Sequence, residues 1–204
     1  MLQNKATVFI VDDDQSVRDA LKLLMQSIGL PAETYESGQA YLAQFDPERA
    51  GCLVLDVRMK GMSGLVLQEK LSKQVLAPPI IMITGHGDIA MAVRAIQAGA
   101  SDFIEKPFND QALLESIHRA LEQDAKKRGQ AMQQEEVINR LAQLTQRERE
   151  VLEQVVAGKR NKVIAFDLNI TQSTVEAHRS RVMEKMQAKS LSDLMRMVLF
   201  VHLD

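Results

Sequence analysis

The 204-residue chain has a single cysteine, Cys52. One thiol excludes an intrachain disulfide and argues against a cysteine-based metal site. No apolar run approaches the ~20 residues that a bilayer-spanning helix requires. The opening stretch, MLQNKATVFIVDDD, reaches acidic residues after a very short apolar run and does not read as a secretory signal. There is no internal repeat and no low-complexity segment. No GxGxxG or P-loop pattern follows any strand-like run, which argues against a nucleotide-binding α/β protein. What is present is ordinary globular composition, 46% hydrophobic and 25% charged, enough chain for one large domain or two small ones. A cytoplasmic protein with no membrane partner is the simple expectation.

Charge is small overall and unevenly divided. The net charge is −2, but residues 1–120 carry 11 Lys+Arg against 15 Asp+Glu, whereas 121–204 carry 14 against 12. Within 159–190, Lys159, Arg160, Lys162, Arg179, Arg181, Lys185 and Lys189 face only three acidic residues. A basic segment in an acidic chain points to a polyanion partner or, equally, to an ordinary solvated surface.

The hydrophobic period changes along the chain. Up to about residue 120, short apolar runs alternate with helical patterns, as in a parallel α/β sheet. The predicted strands are Thr7–Val11, Ala32–Tyr35, Cys52–Leu55, Ile80–Thr84 and Asp102–Glu105. Val17, Ala20, Leu21, Leu24, Met25 and Ile28 form one helical face, which Gly29 ends. Further helices are expected over Gly38–Phe45, Leu65–Lys73, Ile89–Ala98 and Gln111–Glu122. Five β-α units make a doubly wound fold with a five-stranded parallel sheet. The polar stretch 123–141 reads as a partly helical linker with Gly129 its weak point. The segment 142–204 reads as a small all-α domain. Thr145 and Glu148 have capping-box spacing, with Leu152, Val155 and Val156 on the apolar face behind them. Gly158 ends that helix. Val163, Ile164, Phe166 and Leu168 lie on a second, 172–186 forms a third, and 191–201 a fourth.

Ligands of open α/β sheets bind at the carboxyl ends of the strands. Here four strand ends bring polar groups to one edge: Asp12, Asp13 and Asp14; Asp56; Thr84; and Lys106. Clustered carboxylates repel and would partly hold their protons. A hard divalent cation such as Mg²⁺ relieves that repulsion and can also hold a phosphoryl oxygen. Asp56 is the central carboxylate and the natural nucleophile. Lys106 supplies a point charge and Thr84 a hydroxyl for two further phosphoryl oxygens. Asp14 serves the following helix as its cap.

In the third C-terminal helix, Val175, His178, Val182 and Met186 share one face. Ser173, Glu176, Ala177, Ser180 and Glu184 lie opposite, with Arg181 on the flank and Arg179 nearer the packed side. Thr171 is a good N-cap, and the preceding turn is as short as a helix-turn-helix requires. Small and polar outward residues suit a helix that enters the major groove; an ordinary amphipathic helix in a small bundle has the same pattern.

The runs VDDD, LVLDVRMKGMSG, MITGHGD and DFIEKPF closely resemble the receiver domain of two-component response regulators, over residues 5–122. LTQREREVL, NKVIAFDLNI and TVEAHRSRVMEKM resemble the LuxR/NarL-type DNA-binding domain, over about 142–199. Together the two halves resemble the FixJ branch. The resemblance implies a flavodoxin-like receiver at 1–122, a helical linker at 123–141 and a helix-turn-helix domain at 142–204. It implies that Asp56 is the phosphoacceptor and that Asp12, Asp13, Asp56 and the backbone carbonyl of Arg58 hold Mg²⁺. Thr84 and Phe103 would be the switch pair. Glu176, Ala177 and Ser180 would face bases, with Ser173 on the same surface. Lys162, Thr174, Arg179 and Arg181 would be candidates for phosphate contacts. One departure is Lys60, where receivers usually carry proline; it is expected to loosen the loop after Asp56 without touching the chemistry.

The implied partners are a sensor histidine kinase, double-stranded promoter DNA and a second copy of the chain when phosphorylated, with RNA polymerase a further candidate. The expected dimer surfaces are 89–105 in the receiver and the last helix, which is apolar almost all round. Phosphorylation would act by dimerisation or by releasing contacts between the domains, and both routes stay open. A phosphatase with an aspartyl-phosphate intermediate is disfavoured because Arg58 stands where such enzymes place a second Asp. The chain is therefore expected not to be a turnover enzyme, beyond slow self-dephosphorylation. A relic receiver is disfavoured by the intact set of Asp12, Asp13, Asp56, Thr84 and Lys106.

Overall fold

In the computed structural model, residues 6–85 and 89–202 are described, without the side chain of His202. The chain divides into two compact units, 1–128 and 129–204.

The first unit contains strands β1 (Thr7–Val11), β2 (Ala32–Tyr35), β3 (Gly51–Asp56), β4 (Ile80–Thr84) and β5 (Asp102–Glu105). They form one parallel sheet in the order β2-β1-β3-β4-β5. Helices α1 (Gln15–Ser27), α2 (Gly38–Ala43), α3 (Gly64–Leu71) and α4 (Ile89–Gln97) connect them. Strands β1, β3 and β4 are buried along their whole length, so both faces of the sheet must be covered and the runs are apolar without alternation. One core layer packs Phe9, Leu53, Leu55, Leu67 and Met82; the other packs Ile10, Val54, Leu21, Met25, Leu113 and Ile117. Burying each such side chain is worth roughly 1.5–3 kcal/mol. On α1 the expected apolar face is narrower than the sequence pattern: Leu21 and Met25 are buried, but Ala20 and Ile28 are exposed.

Helix α5 runs from Asp110 to Ala142 without interruption. The stretch read as a partly helical linker lies inside it, Gly129 included. A single exposed glycine costs a helix only about 1 kcal/mol relative to alanine, which the surrounding helix formers outweigh. Within the first unit, Asp124 and Arg128 of α5 form a buried clamp. Asp124 Oδ2 accepts from the Gly51 backbone N–H (2.9 Å) and from Arg128 (2.8 Å). Arg128 also donates to the carbonyls of Pro47 and Arg49, both at 2.7 Å.

The second unit contains the rest of α5 with α6 (Gln146–Val156), α7 (Asn161–Asp167), α8 (Gln172–Met186) and α9 (Leu191–His202). Thr145 and Glu148 form the expected capping box at α6. Glu148 is buried and also accepts from Lys185 at 2.6 Å. The core joins Val137, Val151, Leu152, Ile164, Val175, Val182, Met186 and Leu194. Two apolar residues of α7 face solvent: Phe166 is 86% exposed and Val163 45%. The seven-residue helix has room for only one inward face, which Ile164 and Ala165 occupy.

Candidate functional site

The sheet topology brings the ends of β1, β3, β4 and β5 together, because β1, β3, β4 and β5 are successive neighbours in the sheet. Lys106 follows β5 and places its ammonium 2.7 Å from Asp12 Oδ2 and 2.8 Å from Asp56 Oδ1. These are charge-assisted bonds of ordinary length. Each carboxylate has a backbone donor on its other oxygen: Asp14 N–H on Asp12 Oδ1 at 2.9 Å, and Arg58 N–H on Asp56 Oδ2 at 2.7 Å. Arg18 of α1 holds the Asp12 carbonyl at 2.8 Å.

Two buried carboxylates thus share one ammonium. Burial raises the Asp56 pKa above the ordinary carboxylate range; Lys106 pulls it down, less effectively, and neighbouring Asp12 adds to the rise. Burial works against the Lys106 charge, but the bonds to Asp12 and Asp56 outweigh it and keep its pKa above the usual value. The two directions agree physically: Lys106 has two anionic partners, whereas Asp56 shares its one cation with Asp12.

The remaining predicted residues fall as follows. Thr84 is fully buried at the end of β4. Phe103 on β5 is partly buried and packs against the sheet core. Asp13 is exposed, and its Oδ2 accepts from the Lys60 backbone N–H at 3.3 Å. Lys60 therefore does not simply loosen the loop. It supplies an N–H that proline lacks, and that N–H reaches one of the site carboxylates. Asp14 caps α1, accepting from the Ser16 N–H at 2.8 Å. Of the run MITGHGD, His86, Gly87 and Asp88 lie outside the described residues.

The loop after Asp56 is closed by Gly64. Its N–H donates to the Val57 carbonyl at 3.0 Å, and a Cβ there would stand 2.3 Å from the Asp56 carbonyl oxygen. Only glycine lets α3 start so close to the end of β3.

Among the described residues no group of three His, Cys, Asp or Glu side chains is already gathered as a metal centre. Lys106 stands between Asp12 and Asp56, and the Asp13 carboxylate is engaged by Lys60. The donor set still suits a hard divalent cation: the ligands are oxygens, two of them buried and under-compensated in charge.

In the second unit, α8 presents Ser173, Glu176, Ala177, Ser180 and Arg181 to solvent, as does α7 with Lys162. Thr174 and Arg179 are half-buried. Thr171 caps α8 by accepting from the Thr174 N–H at 3.1 Å, and its hydroxyl lies 2.9 Å from Ser173 Oγ and 2.7 Å from Thr174 Oγ1. Hydroxyls around a helix N-terminus form a surface that suits phosphate oxygens. His178 is partly buried. Arg179 does not point freely outward: it donates to Asn161 Oδ1 at 2.6 Å. Asn161, which sequence patterning did not single out, also donates from Nδ2 to Glu176 Oε1 at 3.4 Å.

The comparisons with known proteins agree with this arrangement. The family model for the response regulator receiver domain matches residues 8–118, and that for bacterial regulatory proteins of the luxR family matches 142–198. The transcriptional regulatory protein FixJ of Rhizobium meliloti is 47% identical over 193 residues, covering 95% of each chain. FixJ of Azorhizobium caulinodans is 45% identical, covering 94% of this chain and 91% of its own. The solved structure of the response regulator StyR superposes with a TM-score of 0.87 at 45% identity, covering 95% of this chain and 98% of that one.

The chain belongs to the two-component response regulators.

As such a regulator it carries a receiver domain and a LuxR-type DNA-binding domain, the composition expected from its motifs. The receiver pairs a response regulator with a histidine kinase, and the helix-turn-helix makes it a DNA-binding protein and a transcription regulator. Among the described residues no helix is long and apolar enough to cross a membrane.

Proposed function

We propose that this response regulator is switched at Asp56, which takes a phosphoryl group from a phosphohistidine of its sensor kinase. The phosphorus–nitrogen bond breaks as the Asp56 carboxylate oxygen bonds to phosphorus. The observation that carries this is the Lys106 ammonium held within 2.8 Å of both buried carboxylates, Asp12 and Asp56. It offsets the added charge, since the modified residue carries roughly −1.5 to −2 in place of the single charge of the carboxylate. The Thr84 hydroxyl supplies a further donor, and partly buried Phe103 is the residue that responds. Asp12, Asp13, Asp56 and the Arg58 carbonyl would hold Mg²⁺. When bound, that ion screens the phosphoryl oxygens during transfer. Arg58 stands where a hydrolytic general acid would be, so the phosphorylated state is a signal with at most slow self-hydrolysis.

Phosphorylation shifts a two-state equilibrium of the receiver and favours a homodimer. The exposed stripe Ile89, Val93 and Ile96 on α4 supports a dimer face there, and exposed Leu199 and Phe200 support a second one on α9. A cytoplasmic dimer pairs two α8 helices on a two-fold-related promoter site. Glu176, Ala177 and Ser180 face bases; Lys162, Thr174 and Arg181 contact phosphates.

Treatment with acetyl phosphate should add acid-labile phosphate to the wild type and raise its mass in sedimentation. Asp56→Asn should take up none while keeping its circular dichroism spectrum. Normal labelling of that variant would sink the assignment.

A further inference from the structure

The structure assigns Asn161 as a specificity-setting residue of the DNA-reading surface, acting through Glu176. This rests on the reading that Glu176 faces bases.

Asn161 opens α7. Glu176 and Arg179 lie one turn apart on α8, 15 and 18 residues further along the chain. The Asn161 amide lies between their charged ends, with Oδ1 accepting from Arg179 at 2.6 Å and Nδ2 donating to Glu176 Oε1 at 3.4 Å. Only one orientation of the amide serves both partners. Flipped, it would turn its NH₂ toward a guanidinium and its oxygen toward a carboxylate. Arg179 therefore fixes the amide, and the amide in turn fixes Glu176. The short bond is half-buried and the longer one exposed, so the firm end of the relay is the packed one.

Among the described residues the Asn161 side chain bonds only Arg179 and Glu176. The N-cap of α7, Arg160, makes no side-chain capping bond. The arrangement leaves Glu176 Oε2 for a donor outside the protein. A carboxylate accepts from an exocyclic amino group of a base, such as that of cytosine. A glutamate already held by one oxygen loses less rotamer freedom on meeting that group than a free one. Asn161 touches no base in this scheme. It is a positioning residue that sharpens the preference at the one base position Glu176 reads. Arg179, half-buried in this relay, acts with it rather than as a freely projecting phosphate contact.

The test is selection of bound duplexes from a random pool by the full-length protein treated with acetyl phosphate. Wild type, Glu176→Ala, Asn161→Ala and Asn161→Asp are compared. Asn161→Asp keeps an acceptor for Arg179 but turns a like charge toward Glu176, so it separates the relay from simple loss of packing. Both Asn161 variants should flatten the same base position that Glu176→Ala flattens, roughly 3- to 10-fold, with other positions unchanged. If Glu176→Ala changes one position but neither Asn161 variant does, the inference is wrong and the base-facing reading stands. If Asn161→Ala weakens binding evenly with every preference intact, Asn161 is only structural and the inference is again wrong. If Glu176→Ala alters no position, the reading of α8 itself fails and the inference falls with it.

Discussion

Replacing Glu148 tests how the DNA-binding unit is held together. Its carboxylate closes the α6 cap by accepting from the Thr145 N–H at 2.8 Å, and it bonds Lys185 of α8 at 2.6 Å. The Lys185 bond and the Thr145 N–H together lower its pKa from 4.5 to about 2, against a smaller opposing effect of burial. At 1.36 kcal/mol per pH unit that is about 3 kcal/mol. Lys185 is one-third exposed, and water screens the pair, so about 2 kcal/mol is the figure to expect. The folded pKa lies below the unfolded one. The stabilisation is therefore complete above about pH 4.5 and is lost as pH falls toward 2. Glu148→Gln retains a capping acceptor and loses the charge, so it should cost about 2 kcal/mol at pH 7. Glu148→Ala should cost about 1 kcal/mol more through the lost cap. Amide hydrogen exchange in α6 and α8, measured by mass spectrometry on the full chain, reports this unit separately from the receiver. The gap between wild type and Glu148→Gln should narrow by about 1 kcal/mol at pH 4. A gap below about 0.5 kcal/mol at pH 7, or one equal at both pH values, would refute the reasoning.

Three further outcomes are expected. Lys106→Ala leaves Asp12 and Asp56 buried without their counter-charge and should lower receiver stability by about 3 kcal/mol; magnesium chloride should restore much of it in a thermal melt, and no recovery would count against the proposed ion site. Gly64→Ala drives a Cβ into the Asp56 carbonyl and should abolish labelling by acetyl phosphate; a normally labelled variant would show that the loop has slack. Arg181→Ala should weaken DNA binding evenly across sequences and reduce the salt slope by about one ion, which titrations at several salt concentrations would measure.

The receiver was legible because its physics is local and repeated. Fully buried strands read as unbroken apolar runs, and a parallel sheet brings their ends to one edge. The sequence alone therefore assigns Asp12, Asp56, Thr84 and Lys106 to that edge. Which groups bond one another before a phosphoryl group arrives is not legible: only the structure shows Lys106 bridging Asp12 and Asp56. The effect of Lys60 was hidden because its backbone N–H, not its side chain, meets Asp13. The full length of helix α5 is masked in the sequence because polar residues and one glycine resemble a linker, although polar helix formers propagate a helix well. Val163 and Phe166 share the apolarity of Ile164 yet face solvent, and apolarity alone does not separate the two, since apolar residues are common at protein surfaces. Asn161 left no signal, since its partners lie on another helix.

The capping of α8 has a consequence for how this module can be exchanged. Arg140, from α5, donates to the Met186 carbonyl at the C-terminal end of α8 at 3.0 Å, and Val137 is buried in the same core. The luxR-family match begins only at residue 142. A chimera joined at that boundary would graft the reading helix without the arginine that closes its last turn and without one wall of its core. A junction placed before Gln133 transfers both, so the portable DNA-binding cassette is longer than the motif that marks it.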